Sequence, residues 1–139
     1  MEDRSMQSET AILEITRAVR NYVDGVVEFD FILGESAWHP DGLKIALDAH
    51  GERLSCKTIR QTRPNLTAEE IGSARQQISQ RGSIESVDRT GNAASVKLVW
   101  VFEKAGVRKR ITDYILLLNS ANGWRIVGKI FDEEALDSQ

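Results

Sequence analysis

One stretch constrains this chain more than any other: residues 96–131, VKLVWVFEKAGVRKRITDYILLLNSANGWRIVGKIF. Its turn signals divide it into three consecutive β-strands joined by two tight turns. Two of these strands are apolar on both faces at their centres, Val99-Trp100-Val101-Phe102 and Ile115-Leu116-Leu117-Leu118. An antiparallel strand with one wetted face alternates polar and apolar residues, and these do not. Something therefore covers both faces of the sheet that they build. The rest of the chain offers helices for one face, and the other needs a second cover.

The first helix shows in Ile12, Ile15, Val19, Tyr22, Val23 and Val26, which recur at three- and four-residue spacing and make one apolar stripe from about Ser8. Glu9 suits its positive end, Arg17 and Arg20 lie toward the other, and Gly25 reads as its break or C-cap. Asp30 is placed to N-cap a second, short helix running to Trp38. His39-Pro40-Asp41-Gly42 ends that helix, because proline disfavours the α conformation in the residue before it and Asp-Gly is a turn pair. Residues 43–49 alternate, with Leu43, Ile45 and Leu47 against Lys44, Ala46 and Asp48, as a half-buried strand does. His50-Gly51 turns the chain toward a partner strand over residues 52–59, and residues 60–66 read as loop.

Thr67-Ala68-Glu69-Glu70 is a capping box, in which the threonine hydroxyl accepts from the third helical amide and the glutamate reaches back. It opens a helix striped by Ile71, Ala74 and Ile78 and ended by residues 80–82. Four strands follow over residues 83–89, 93–103, 107–118 and 124–131, with turns at Gly91-Asn92, Ala105-Gly106 and residues 119–123. Helices gathered before an antiparallel meander predict an α+β fold. A strongly curved sheet wrapped on N-terminal helices would form a cone with an interior pocket. Residues 1–7 and the acidic residues 132–139 are expected to be flexible, leaving 8–131 as a single domain.

The bulk properties narrow the function. A formal net charge of −3 without a dense basic run gives nucleic-acid binding no electrostatic support, and Arg108-Lys109-Arg110 is explained as a solvated strand end. Cys56 is the single cysteine, which rules out an intrachain disulfide and a CxxC metal site and suits a reducing cytoplasm. No apolar run approaches the ~20 residues that span a bilayer, and the polar N-terminus is not a signal peptide. His39 and His50 are the only histidines, so a multi-histidine metal site is excluded. No metal or cofactor is expected.

The element order resembles the nuclear transport factor 2-like superfamily, also called SnoaL-like, whose fold is cystatin-like. Three stretches look like its putative lumazine-binding family: Tyr22, Gly25 and Asp30 followed by Trp38-His39-Pro40-Asp41; Gly91-Asn92-Ala93-Ala94-Ser95-Val96-Lys97; and Thr112-Asp113-Tyr114, followed by Asn122-Gly123-Trp124-Arg125-Ile126-Val127-Gly128-Lys129-Ile130-Phe131. Superfamily members are commonly homodimers that pack sheet against sheet. The resemblance thus implies that a second subunit covers the face that the helices leave open.

Five residues are candidates for a ligand site, each with a purely structural alternative. In the related steroid isomerases a tyrosine placed like Tyr22 donates a hydrogen bond to a substrate oxygen, but Tyr22 also fits a core stripe with its hydroxyl bonded to backbone. His39 could serve as base or ligand, or simply fix the His-Pro turn. Asp113 shares a strand face with Ile111, Ile115 and Leu117, where a carboxylate must be paired or used. Its structural alternative is an ion pair with Arg110, Lys97 or Lys129. Trp100 and Trp124 could grip a flat apolar ligand, but large aromatics more often belong to the core and Trp124 reads so; Trp38 is the fifth candidate.

The base of the steroid isomerases falls at Ala46 by spacing from Trp38, and alanine cannot take a proton. The two-histidine dehydratases need more histidines in strands than this chain has. The expectation is therefore a homodimeric protein with a pocket for a small apolar or aromatic molecule. An isomerase, cyclase or dehydratase using Asp113, His39 and Tyr22 is one alternative, and a protein-interaction module is another.

Overall fold

A computed structural model describes residues 4–136; residues 1–3 and 137–139, part of the segments expected to be flexible, lie outside it. Helix α1 (Arg4–Glu28) buries Ile15, Val19, Tyr22 and Val23 against the sheet, the stripe that its spacing predicts. The helix does not break at Gly25. It ends three residues later in a Schellman arrangement, with Asp30 N donating to Gly25 O at 2.8 Å, Phe29 N to Val26 O at 3.3 Å, and Phe29 left-handed at φ 56°. A lone glycine weakens a helix without stopping it. Gly25 serves packing instead, because the backbone of the next helix comes against it at Gly34.

That helix, α2 (Phe31–Ser36), is capped by Asp30, whose carboxylate accepts from Leu33 N at 3.1 Å. It stops at Ser36, short of the expected Trp38, which instead opens strand β1 (Trp38–Leu47). Pro40 cannot donate to a ladder, and the pairing shifts register between Trp38 and Leu43. Strand β2 (Leu54–Thr58) follows, then a 3₁₀ turn (Arg60–Thr62) and α3 (Ala68–Gln77). Both hydrogen bonds of the α3 capping box are present. The last four strands are β3 (Ile78–Thr90), β4 (Ala93–Lys104), β5 (Val107–Ser120) and β6 (Gly123–Leu136).

The strands form one sheet in the order β2-β1-β6-β5-β4-β3. It is antiparallel except where β1 runs parallel to β6, a crossover that a simple meander does not predict. Two later boundaries also differ from the sequence reading. Strand β3 begins at Ile78, so residues 78–82 are strand and not the end of α3; they pair with the C-terminal end of β4, from Lys104 to Trp100. Strand β6 continues through Leu136, past the expected end at Phe131, so residues 132–136 are paired strand. They lie beside residues 108–112, where Lys109–Glu133 at 3.6 Å and Arg110–Glu134 at 3.7 Å neutralise the basic run.

The register decides which residues face α1. Ala94, Val96, Leu98 and Trp100 of β4 point inward with Asp113, Ile115 and Leu117 of β5, as do Trp124, Ile126 and Lys129 of β6. The outer face carries Tyr114, Leu116 and Leu118 of β5 and Ile130 of β6, all exposed. Strand β1 is inverted with respect to its alternation. Lys44 lies beside inward-facing Lys129, while Leu43 lies beside Gly128, whose neighbour on β5 is outward-facing Leu116. Leu47 and its partner Leu54 on β2 therefore also lie on the outer face, exposed.

Candidate ligand-binding site

Inside the cone, between α1 and the concave face of the sheet, four side chains from four elements meet. Asp113 of β5 is wholly buried and Lys129 of β6 nearly so, in register with their neighbours on a strand pair that turns both inward. Lys129 Nζ donates to Asp113 Oδ2 at 3.3 Å and to the Tyr22 hydroxyl at 3.0 Å. Trp100 of β4, one pleat along from the residue opposite Asp113, donates its indole Nε1 to the same Asp113 oxygen at 2.9 Å. Asp113 Oδ1 is buried with no partner, as is Trp38 Nε1. Tyr22 packs edge-on against Trp38 and Trp100, at ring separations of 5.7 and 6.1 Å.

The protonation states follow from these contacts. Burial raises the Tyr22 phenol above its usual range, although the Lys129 cation opposes that shift, so Tyr22 is neutral at physiological pH. Burial acts to lower Lys129, but Tyr22 and Asp113 outweigh it and the net shift is upward. The phenol attracts the ammonium only once ionised, so at neutral pH the Asp113 carboxylate supplies the attraction. Lys129 is thus a cation that uses the Tyr22 oxygen as an acceptor. The Tyr22 hydrogen, not consumed by that bond, is left for an acceptor in the cavity.

Two cavities open beside this cluster. The larger, about 290 Å³, is walled by Val26, Phe29, Phe31, Ile59, Ile78 and Phe102, with Lys44 projecting into it. The smaller, about 160 Å³, is lined by Trp100, Ile111, Asp113, Lys129 and Phe131. Tyr22, Val26, Gln80 and Phe102 line both. At the edge of the larger one Arg63 holds Glu35 of α2 in a bidentate pair, both bonds 2.6 Å. Burial, helped by the Lys129 cation and opposed by Asp113, lowers the Lys44 amine to about 8.

The sequence candidates separate accordingly. Tyr22, Trp100 and Asp113 come together. Trp38 backs Tyr22 but lines neither cavity. His39 stands apart, half-exposed on the bulged start of β1, with Nδ1 accepting from Asp41 N at 3.1 Å. It fixes the turn, which is its structural alternative. Of the three residues of the enzyme alternative, two share the interior and the third does not. Asp113 has taken Lys129 as its partner; Arg110 pairs with Glu134. Trp124 is buried in the core. Lys44 is not singled out by the sequence, and Lys129 only as one of three possible partners of Asp113. A signal for Lys129 existed in its place within an apolar stretch, with Ile126-Val127-Gly128 before it and Ile130-Phe131 after it. Among the described residues no three His, Cys, Asp or Glu side chains cluster as metal ligands would, and no helix is long and apolar enough to cross a membrane.

Comparison with solved structures places this architecture. An NTF2-like protein with a cystatin-like fold from Novosphingobium aromaticivorans superposes with a TM-score of 0.70 at 15% identity, covering 100% of this chain and 94% of that one. An NTF2-like protein of unknown function from Shewanella baltica gives 0.65 at 17% identity, with 96% and 98% covered. A ketosteroid isomerase-like protein from Erwinia carotovora atroseptica gives 0.60 at 18%, with 86% and 92% covered. These likenesses establish the NTF2-like fold. No curated protein matches the chain. The family model described as "Putative lumazine-binding" matches residues 10–132, the span from the first turns of α1 into the last strand. The chain belongs to that family.

Proposed function

We propose that this chain is a homodimeric binding protein whose cone takes a compact, mostly apolar molecule carrying an oxygen acceptor. The observation that carries this reading is the Tyr22 hydroxyl. Its buried side chain lines both cavities, and its oxygen is occupied by Lys129. An acceptor on a ligand would satisfy the remaining hydrogen, while Phe29, Phe31, Ile59 and Phe102 enclose the apolar body. Lumazine, from which the family takes its name, is a compact planar bicycle whose ring carbonyls offer the acceptor, with a more polar body than this wall favours. Calorimetric titration tests the pocket with lumazine and with methyl 2-naphthoate, an aromatic ester. One molecule of at least one of them should bind per chain, and Val26→Trp, which fills the space between the cavities, should abolish binding. Absence of binding by both to wild type would overturn the reading.

The dimer is carried by the outer face. Leu47, Leu54, Tyr114, Leu116, Leu118 and Ile130 expose their side chains on that one surface. Soluble monomers seldom expose more than a few hundred Å² of contiguous apolar area. A second copy packed on it about a two-fold axis would supply the missing cover for the doubly apolar strands. Sedimentation equilibrium should give the dimer mass for wild type at micromolar concentration and the monomer mass for Leu116→Glu. A wild-type monomer would contradict it.

A further inference from the structure

Lys44 enters the interior from β1, beside the Asp113–Lys129–Tyr22 cluster but outside its hydrogen bonds. Among the described residues no carboxylate comes within salt-bridge distance of its amine. Its nitrogen lies 5.7 Å from the Tyr22 ring centre and 5.9 Å from that of Trp38. Both distances are near the outer limit of cation–π attraction, so they hold an ammonium only weakly. A lysine stem ordinarily carries its charge out to water. This one is directed into a cavity walled by Val26, Phe29, Ile59 and Phe102.

We propose that Lys44 forms a Schiff base with the carbonyl carbon of a compact apolar aldehyde or ketone held in the larger cavity. The proposal rests on the pocket reading above and adds the nucleophile and the class of ligand. Lysine becomes a nucleophile near neutral pH when an apolar pocket desolvates it or a second cation stands nearby. Both conditions hold here, since the cavity wall is mostly apolar and Lys129 occupies the adjacent position on β6. They lower the amine to about 8. At pH 7 about a tenth of it is then unprotonated, against less than about a thousandth for an ordinary lysine. Lys129 itself is unsuited, because Asp113 and Tyr22 hold it as a cation.

In the step, the Lys44 lone pair bonds to the carbonyl carbon and the C=O π pair moves to oxygen. Tyr22 lines the same cavity, and its hydroxyl would donate its free hydrogen to that oxygen. The carbinolamine then loses its C–O bond, and the two amine hydrogens leave with the oxygen as water. The product is an imine, with no net oxidation or reduction.

Borohydride trapping tests this. Folded protein is incubated with 2-naphthaldehyde and sodium cyanoborohydride, which delivers hydride to the imine carbon and fixes a naphthylmethyl group on nitrogen. Peptide mapping should place the group on Lys44 about tenfold or more faster than on any of the other five lysines. Excess methyl 2-naphthoate, which occupies the pocket without forming an imine, should protect Lys44. Lys44→Arg and Lys44→Met should lose the fast label; circular dichroism melts confirm that at least one remains folded. Equal labelling of all six lysines, or fast labelling that survives in a folded Lys44 variant, would overturn the proposal. Binding of the ester without fast labelling removes the Schiff base and leaves the pocket; failure of both removes both.

Discussion

Replacing Lys129 with methionine is expected to cost about 3–5 kcal/mol of folding stability, a large share of what holds a domain of this size together. The loss comes less from the missing attraction than from what remains. Asp113 is wholly buried, and its Oδ1 already lacks a partner. Without Lys129 the anion would keep only the Trp100 indole at 2.9 Å. Asp113→Asn should cost about 3 kcal/mol for the converse reason, by stranding the Lys129 cation against a neutral amide and the Tyr22 oxygen. The double variant, Asp113→Asn with Lys129→Met, should recover most of either loss, because asparagine can still accept from Trp100 and no charge is left buried. Urea melts of the four proteins give the coupling energy directly. Additive losses would mean that the two side chains do not act as a pair.

Gly25→Ala is the second large effect, at least about 3 kcal/mol. A β-carbon on Gly25 would stand 2.5 Å from Gly34 Cα and 2.9 Å from Asp30 O, and closer still to Gly34 N. These are backbone atoms, so no rotamer relieves the clash and α1 and α2 must separate. Gly25 and Gly34 both line the larger cavity, so separation would also weaken ligand binding. Gly72→Ala is the control. Gly72 is an interior residue of α3 with nothing within 4 Å of an added β-carbon, and there alanine should stabilise by about 0.5–1 kcal/mol. Thermal melts should move in opposite directions for the two. A Gly25→Ala protein as stable as wild type would mean that the two helices do not meet at this contact.

What could be read from the sequence was whatever a short window contains. The capping box at Thr67, the N-cap at Asp30 and the turn at Ala105-Gly106 are each set by neighbours a few residues apart, and each is where its local chemistry puts it. The misreadings share the opposite cause. Residues 132–136 are acidic and look solvated until residues 108–112 lie beside them as the matching basic strand. Gly25 looks like a helix stop because its reason, the backbone at Gly34, arrives from the next helix. Strand β1 misleads most. Its alternation separates Leu43, Ile45 and Leu47 from Lys44, and the usual inference turns the apolar set toward the core. The parallel pairing with β6 turns Lys44 inward instead. The site was legible to the same extent. Asp113 announces itself as a carboxylate on an apolar strand face, but its choice of Lys129 over Arg110 or Lys97 depends on register. His39 has a motif and no geometry, because the bulge of β1 leaves it on the rim.

The most direct measurement on the pocket is a comparison of two ligands on two proteins. Methyl 2-naphthoate and the hydrocarbon 2-propylnaphthalene have similar shape, but only the ester carries a good acceptor. Tyr22→Phe removes the hydroxyl and leaves the ring against Trp38 and Trp100. Affinity for the ester should fall about tenfold in Tyr22→Phe, the worth of one buried hydrogen bond, while affinity for the hydrocarbon should be unchanged or slightly better. An equal change for both ligands, or none for the ester, would contradict a Tyr22 hydroxyl that donates to the ligand.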